Sequence, residues 1–186
     1  GLGIAIERII FLSRVKKANK ELWDAVYPSI QKGDTEKALK AVKDNETEIG
    51  RILEYGLTRN RTAKNVEDVE TAMEEALMEV MPRLEARTPF ISTFANVATL
   101  LGLLGTVQGL ITAFAAIANA DPAQKGDLLS SSISVAMNTT AFGLVVAIPL
   151  LLFYAFLQSR TGEVVESLEM ASIKLLNALR QIRNNA

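Results

Sequence analysis

Hydroxyl and amide side chains recur at helical spacing within two long uncharged stretches of this chain. In the first stretch, 88–120, one helical face carries hydroxyl and small residues at alternating steps of three and four: Thr99, Gly102, Thr106, Gly109 and Ala113. The second stretch, 128–159, has a similar face: Ser132, Ala136, Thr139 or Thr140, Gly143 and Ala147. Hydroxyls in such positions exchange hydrogen bonds with backbone carbonyls, water, a cation or another chain's carboxylate, and small residues let helices approach closely.

Neither stretch contains Asp, Glu, His, Lys or Arg. Proton relays within membranes use Asp, Glu or His. If this protein moves protons, the carboxylate must therefore come from another chain. The alternative is a tight helix bundle in which hydroxyls only bond backbone carbonyls and the GxxxG pair Gly105 and Gly109 only packs. The number of polar groups, which includes Asn96 and Asn138, favours a functional role, because polar groups in lipid need partners.

Both stretches exceed the ~20 apolar residues that cross a bilayer core. We therefore predict an all-α integral membrane protein. Residues 1–12 are apolar but short, and we interpret them as the end of a first membrane helix whose start lies outside this sequence; an amphipathic helix at the membrane surface is the alternative. The predicted segments are 1–12 (end of the first transmembrane helix), 13–88 (helical, cytoplasmic), 89–118 (second transmembrane helix), 119–127 (periplasmic loop), 128–158 (third transmembrane helix) and 159–186 (cytoplasmic C-terminal helix).

The positive charges predict the topology. Residues 13–87 contain fourteen Lys or Arg, and residues 160–186 contain four, whereas the loop 121–127 contains only Lys125. Lys and Arg mark the cytoplasmic side of a membrane protein. The large segment and the tail are therefore predicted to be cytoplasmic, and the short loop external.

Composition argues against several classes of function. The chain has 186 residues, no Cys, no His and a net charge of −1. Disulfides, thiolate chemistry and the usual zinc sites are therefore not expected, nor is nucleic-acid binding. We expect no enzymatic activity, no cofactor and no bound metal, because the chain also lacks the commonest general base near neutral pH.

Local signals predict where the helices begin. Asp34 and Asn65 precede good helix formers, and Asp68 follows Asn65 at the spacing of a capping pair. We predict one helix over about 66–118, bent at Pro82 and Pro89. Beyond Arg160, a coiled-coil-like seam either drives self-association or packs on the helix of 66–88; its residues are Val165, Leu168, Leu175, Leu179 and Ile182.

Two motifs resemble a known family. LLGLLGTVQGLITAF at 100–114 and TTAFGLVVAIP at 139–149 are similar to the ExbB/TolQ/MotA family of ion-channel motor subunits, with the ExbB and TolQ branch closest. The expected topology matches as well, so the resemblance covers most of the chain.

The resemblance implies a protein of the bacterial inner membrane that forms a homo-pentamer around two copies of a single-span partner of the ExbD, TolR or MotB type. The partner's membrane Asp would lie against pore-lining threonines, which by motif position are Thr106 and Thr140. Proton passage would drive work on the outer envelope through a TonB- or TolA-like energy transducer, in TonB-dependent uptake or a Tol-Pal type system. The expected partners are thus copies of itself, this single-span protein, the transducer and the lipid bilayer. For the ion pathway we propose Thr106, Thr140, Thr139, Thr99 and Asn138, and for packing of the pore helices Gly102, Gly105, Gly109, Gly143 and Pro149.

The sequence departs from the family at one position. A glutamate that stands five residues before the threonine in ExbB is replaced here by Val135. Proton is favoured as the coupling ion, although the hydroxyls of Thr139 and Thr140 suit sodium as well. Pro149 is expected to kink the third span, either as architecture or as a joint. The remaining alternatives are a flagellar or gliding stator and a membrane scaffold that conducts no ions.

Overall fold

The computed structural model describes residues 1–118 and 120–184. Within these residues the chain is helical and contains no β-strand. The helices are α1 (Leu2–Gln31), α2 (Thr35–Val42), α3 (Glu48–Asn60), α4 (Glu67–Glu85), α5 (Thr88–Ala118) and α6 (Lys125–Asn184).

Two compact units divide the chain. Gly1–Ile6 and Arg87–Leu157 form one, which we call the apolar unit; Glu7–Ala86 and the chain from Gln158 onward form the other, the charged unit. Helices α1 and α6 therefore each contribute to both units.

The charged unit has a conventional hydrophobic core. Leu53, Leu57, Met73 and Leu168 are almost completely buried in it. Gly56 lets α3 and α4 approach closely, because a Cβ at this position would lie 2.6 Å from the Met73 sulfur. The core thus joins α3 and α4 to the end of α6.

The seam on α6 belongs to this core. Leu168, Leu175 and Leu179 are buried, and Val165 and Ile182 pack partly buried against the same cluster. An ion pair between Arg180 and Glu70, at 3.4 Å, also links α6 to α4. Of the two roles left open by the sequence, the seam therefore packs within one chain.

Helix α2 begins as its predicted cap Asp34 indicated, whereas α4 begins at Glu67 with Val66 as its N-cap, one residue after the predicted Asn65. The Asp34 side chain accepts a hydrogen bond from the Lys37 amide at 3.0 Å. Asn65 accepts from the Asp68 amide at 3.0 Å, and the Asp68 carboxylate accepts from the Lys64 amide at 3.3 Å. These bonds satisfy amide groups that a helix start leaves without partners.

The prediction of one helix across 66–118 was wrong. Helix α4 ends at Glu85, and α5 begins at Thr88 after a two-residue turn in which Arg87 has a φ of 63°. Pro89 has no amide hydrogen to continue the helical ladder, which favours a break here. The buried Arg8 side chain donates to the Leu84 carbonyl, so a cation satisfies one of the last acceptors of α4.

Two segments of the described chain, 67–118 and 125–184, are long and apolar enough to cross a membrane by length and composition. Only 11% and 22% of their most apolar windows are buried within the chain. Leu100, Leu104, Phe142 and Leu152 are among the large apolar side chains left exposed. Extended exposed apolar surfaces on a protein mark contact with lipid or other chains.

Candidate functional site

Helices α5 and α6 touch through their backbones at one pair of glycines. A Cβ on Gly102 would lie 3.1 Å from the Thr139 carbonyl oxygen and 3.2 Å from the Gly143 Cα. A Cβ on Gly143 would lie 2.8 Å from the Ala98 carbonyl oxygen. No side chain fits at this crossing, so glycine on both helices sets the distance between them.

The other two glycines of α5 continue this contact toward its C-terminus. A Cβ on Gly105 would lie 2.6 Å from the Thr139 hydroxyl oxygen, and one on Gly109 would lie 2.7 Å from the Ala136 Cβ. Gly102, Gly105 and Gly109 therefore form the face of α5 that receives α6. The GxxxG pair of the sequence lies at this contact.

Three threonine hydroxyls cluster beside these glycines. The Thr106 Oγ1 lies 3.1 Å from the Ala136 carbonyl oxygen and 3.3 Å from the Gly102 carbonyl oxygen, and it also shares a hydrogen bond with the Thr140 hydroxyl. Thr140 lies 3.1 Å from the Gly102 carbonyl oxygen. The Thr139 hydroxyl lies 2.7 Å from the Ala136 carbonyl oxygen and 3.4 Å from that of Gly102.

The Thr106–Thr140 pair can direct its hydrogen bonds in two ways. Each hydroxyl has one proton and can accept from two donors. Either Thr106 donates to Thr140 and Thr140 donates to the Gly102 carbonyl, or Thr140 donates to Thr106 and Thr106 donates to the Ala136 carbonyl. The direction reverses by rotation of hydroxyl protons, without movement of either helix.

This reversal gives the pair a specific chemical capacity. Both side chains are half-buried, so they remain partly accessible. An ionised carboxylate at this site would accept from the hydroxyl that otherwise donates to the Gly102 or Ala136 carbonyl, and a protonated one would donate to a free lone pair of either hydroxyl. The same two residues therefore suit both protonation states of an acid brought by another chain.

The other predicted pathway residues lie apart from this cluster. The Thr99 hydroxyl donates to the Ala95 carbonyl of its own helix at 3.2 Å. Asn138 is exposed, as is Val135 one helical turn before Thr139. Pro149 lies within α6, which continues through it.

Sequence reasoning missed the carbonyl acceptors of Gly102 and Ala136. Each accepts from hydroxyls on both helices. The only sequence signal was a small residue three or four positions before a threonine. Such a residue leaves its carbonyl uncovered.

Comparison with known proteins identifies the family. The sequence pattern of the MotA/TolQ/ExbB proton channel family matches residues 44–170, which include α5, the hydroxyl cluster and about the first three quarters of α6. The chain belongs to this family. The resemblance seen in the motifs at 100–114 and 139–149 is thereby confirmed.

Relatives place this family member in the ExbB and TolQ branch. A putative biopolymer transport protein ExbB homolog of Methanothermobacter thermautotrophicus is 31% identical over 175 residues, 91% of this chain and 60% of that protein. The Tol-Pal system protein TolQ of Haemophilus influenzae is 37% identical over 93 residues, 50% of this chain and 40% of that protein. A putative ExbB-like protein of Synechocystis is 27% identical over 176 residues, 88% and 82% of the two chains.

The chain spans 60% or less of the first two of these relatives. The family consists of membrane channels rather than enzymes, and the two apolar segments fit a membrane protein. The hydroxyl cluster on α5 and α6 lies within the part of the chain that defines the family.

Proposed function

We propose that this chain is a pore-forming subunit of an ion-driven motor in the bacterial inner membrane, with proton as the coupling ion. The observation that carries the proposal is the reversible pair Thr106 and Thr140 between two spans that lack any charged side chain. Such spans hydrogen-bond a proton carrier but do not supply one. The family membership supports the same function.

The proposed membrane arrangement has three spans. Residues 1–12 end the first, 89–118 and 128–158 form the second and third, 13–88 and 159–186 lie in the cytoplasm, and 119–127 lie outside. The distribution of Lys and Arg supports this topology. The exposed apolar faces of α5 and α6 support an assembly in which other helices and lipid cover them.

In this assembly, five copies surround a single-span partner of the ExbD or TolR type. An aspartate in the partner's span would be costly in lipid unless polar groups receive it. The Thr106–Thr140 pair accepts a hydrogen bond from the protonated acid and donates one to the ionised acid. Each protonation cycle thus changes how the partner is held, which permits stepwise movement of one component within the other.

The work of the motor would pass to an energy transducer of the TonB or TolA type. The names of the relatives, which refer to biopolymer transport and to the Tol-Pal system, support a role at the outer envelope. We therefore favour TonB-dependent uptake or a Tol-Pal type system over motility.

Ion flux in reconstituted vesicles tests this function. The protein is incorporated with its single-span partner, and flux is measured separately under a proton gradient and a sodium gradient. We expect a proton flux that is lost when the partner's membrane Asp is changed to Asn. Equal flux with Asp and Asn would contradict the proposal, and no flux in either gradient would favour a scaffold that conducts no ions.

A further inference from the structure

A basic pocket lies in the charged unit between α1, the start of α3 and α6. Its volume is about 260 Å³, and Trp23, Ile49 and Ala171 contribute its apolar lining. Lysines surround this lining: Lys16, Lys20 and Lys174. The ammonium group of Lys174 lies 5.9 Å from the centre of the Trp23 ring and 5.6 Å from that of Tyr27.

A surface of the opposite character runs along α4. This helix carries seven carboxylates and one arginine. On its exposed side, Glu74 and Glu75 lie one turn from Met78, and Glu85 lies two turns beyond. Met78 is 71% exposed, although it stands on a helix whose other side is well packed. A large apolar side chain among carboxylates complements an apolar pocket among lysines.

The two surfaces lie on different sides of α6. Lys174 contacts α1, whereas Arg180 pairs with Glu70 on α4. These two residues are six positions apart, which is about 120° around a helix. The ion pair of Lys16 joins α1 to α6, and the ion pair of Arg180 joins α6 to α4. Within residues 1–118 and 120–184, no ion pair joins a lysine of the pocket to α4.

Contacts with α6 also show at which height along the α6 axis the groups of each surface lie. Glu163 pairs with Lys16 at 2.7 Å, and Lys174 lies at the level of Trp23 and Tyr27. On the other side of α6, Arg180 is level with Glu70. Helix α1 therefore runs parallel to α6, and α4 runs antiparallel to it. Positions on both helices can thus be expressed as positions along α6.

The comparison places matching groups at the same depth. Leu175 and Met73 both lie beside Gly56, so they are level. At about 1.5 Å per residue, Glu75 lies near the level of Lys174, and Met78 lies near that of Ala171 in the pocket. Glu85 reaches the level of Glu163, where Lys16 stands. Glu75 and Met78 thus match the levels of Lys174 and the pocket, whereas Glu85 matches the level of the ion pair between Lys16 and Glu163.

We propose that α4 of one protomer docks on the basic pocket of the next, with Met78 in the pocket and Glu74 and Glu75 beside Lys174. In a ring whose symmetry axis is parallel to α6, equivalent residues of all protomers lie at the same height along that axis. Groups at matching heights can therefore meet at every contact between neighbours. Because the two surfaces differ, the contact is head-to-tail, and such a contact forms a ring when the rotation between protomers closes. This inference rests on the proposed oligomer and names the surfaces that form it.

Disulfide trapping tests the contact directly. The chain contains no cysteine, so single substitutions report single positions. Chains with Met78→Cys and chains with Met170→Cys, which carry different tags, are expressed together with the single-span partner. Met170 is 53% exposed and lines the pocket. Mild oxidation of membranes is expected to link the two kinds of chain, whereas pairing Lys43→Cys with Met170→Cys, as the control, is expected to give no link.

Charge exchange provides a second test with the same protein. Changing Glu74 and Glu75 to Lys, or Lys20 and Lys174 to Glu, is expected to weaken assembly about tenfold, because like charges then face each other. The combination of all four changes is expected to restore it. The oligomer mass in native detergent extracts is the measurement. Changing Glu36 and Glu46 to Lys is the matched control and is expected to have no effect.

The outcomes separate this inference from the proposed function. An intact, conducting oligomer without the Met78–Met170 link would overturn the docking contact and leave the motor proposal standing. Links between two Met78→Cys chains alone would mean a symmetric interface and would also overturn it. Charge reversals that weaken assembly and are not rescued by the combined variant would overturn the proposed pairing of these charges. A protein that stays monomeric in its native membrane would refute both proposals.

Discussion

The two units of this chain are stabilised in different ways. The charged unit buries Leu53, Leu168 and Leu175 in a continuous core and surrounds it with ion pairs. In the apolar unit, α5 and α6 meet through glycines and hydroxyls, and most of their large apolar side chains remain exposed. One unit has the buried core of an ordinary helical domain, whereas the other leaves apolar faces exposed, as expected of helices that contact lipid or other chains.

The two units also differ in the role of polar side chains between their helices. In the charged unit, a polar group in the core would oppose folding. In the apolar unit, polar hydroxyls stand at the helix contact and keep partly accessible oxygens. Substitutions in the core of the charged unit should therefore affect folding, whereas substitutions of the hydroxyls in the apolar unit should affect ion movement.

The largest expected effect is on the core of the charged unit. Leu175→Asp places a carboxylate in a fully buried position and removes apolar contacts, so we expect a loss of about 3–5 kcal/mol in the free energy of unfolding. Ile173→Asp, two residues away at a half-exposed position, is the control and is expected to change little. Thermal unfolding and limited proteolysis measure both. Equal stability of the two variants would mean that the seam is not part of the core.

A smaller effect is expected at the glycine crossing. Gly143→Ala must move α5 away from α6, because the new Cβ would lie 2.8 Å from a backbone carbonyl oxygen; we expect a cost of about 1–3 kcal/mol. Gly162→Ala meets no atom within 4 Å and should stabilise α6 by about 1 kcal/mol. Denaturant unfolding in detergent gives both values. A neutral Gly143→Ala would show that the helices do not touch through their backbones.

The smallest expected effect concerns an exposed ion pair of the charged unit. Hydrogen bonds from Lys16 and then from Arg160 lower the pKa of Glu163 below its usual value of 4.5. The ionised form therefore stabilises the folded state above that pH, and the contribution is lost as the pH falls through the lowered pKa. Glu163→Gln should lower Tm slightly at neutral pH and not at strongly acidic pH, with Glu166→Gln as the control. A difference that persists in acid would contradict this assignment.

Sequence patterns predicted local features better than contacts between helices. Asp34 caps α2, and Asn65 accepts from the Asp68 amide in the first turn of α4, because such bonds depend only on residues within one turn. The break at Arg87 was missed, because a proline near a helix start favours a bend and a break alike. The seam on α6 shows the same limit: its spacing indicates an apolar face, but only the fold shows that α3 and α4 cover it.

For the candidate site, the sequence showed which residue types are present but not which side chains lie together in the fold. Thr106 and Thr140 followed from their place in the motifs, whereas Asn138, two residues before Thr140, is exposed. Two residues correspond to about 200° around a helix, so nearby polar residues need not share a face. The shared carbonyl acceptors depend on the distance between α5 and α6, which the glycines set.

The central claim is that the Thr106–Thr140 pair receives the partner's carboxylate during ion passage. Its most direct test is proton flux in vesicles that contain the partner and the double variant Thr106→Val, Thr140→Val, which keeps side-chain shape and removes both hydroxyls. Thr93→Val with Thr112→Val is the matched control, since these hydroxyls bond only carbonyls of their own helix. We expect flux to be lost in the first variant, retained in the control and recovered with Ser at both positions, with the oligomer intact throughout. Full flux without the two hydroxyls would contradict the account.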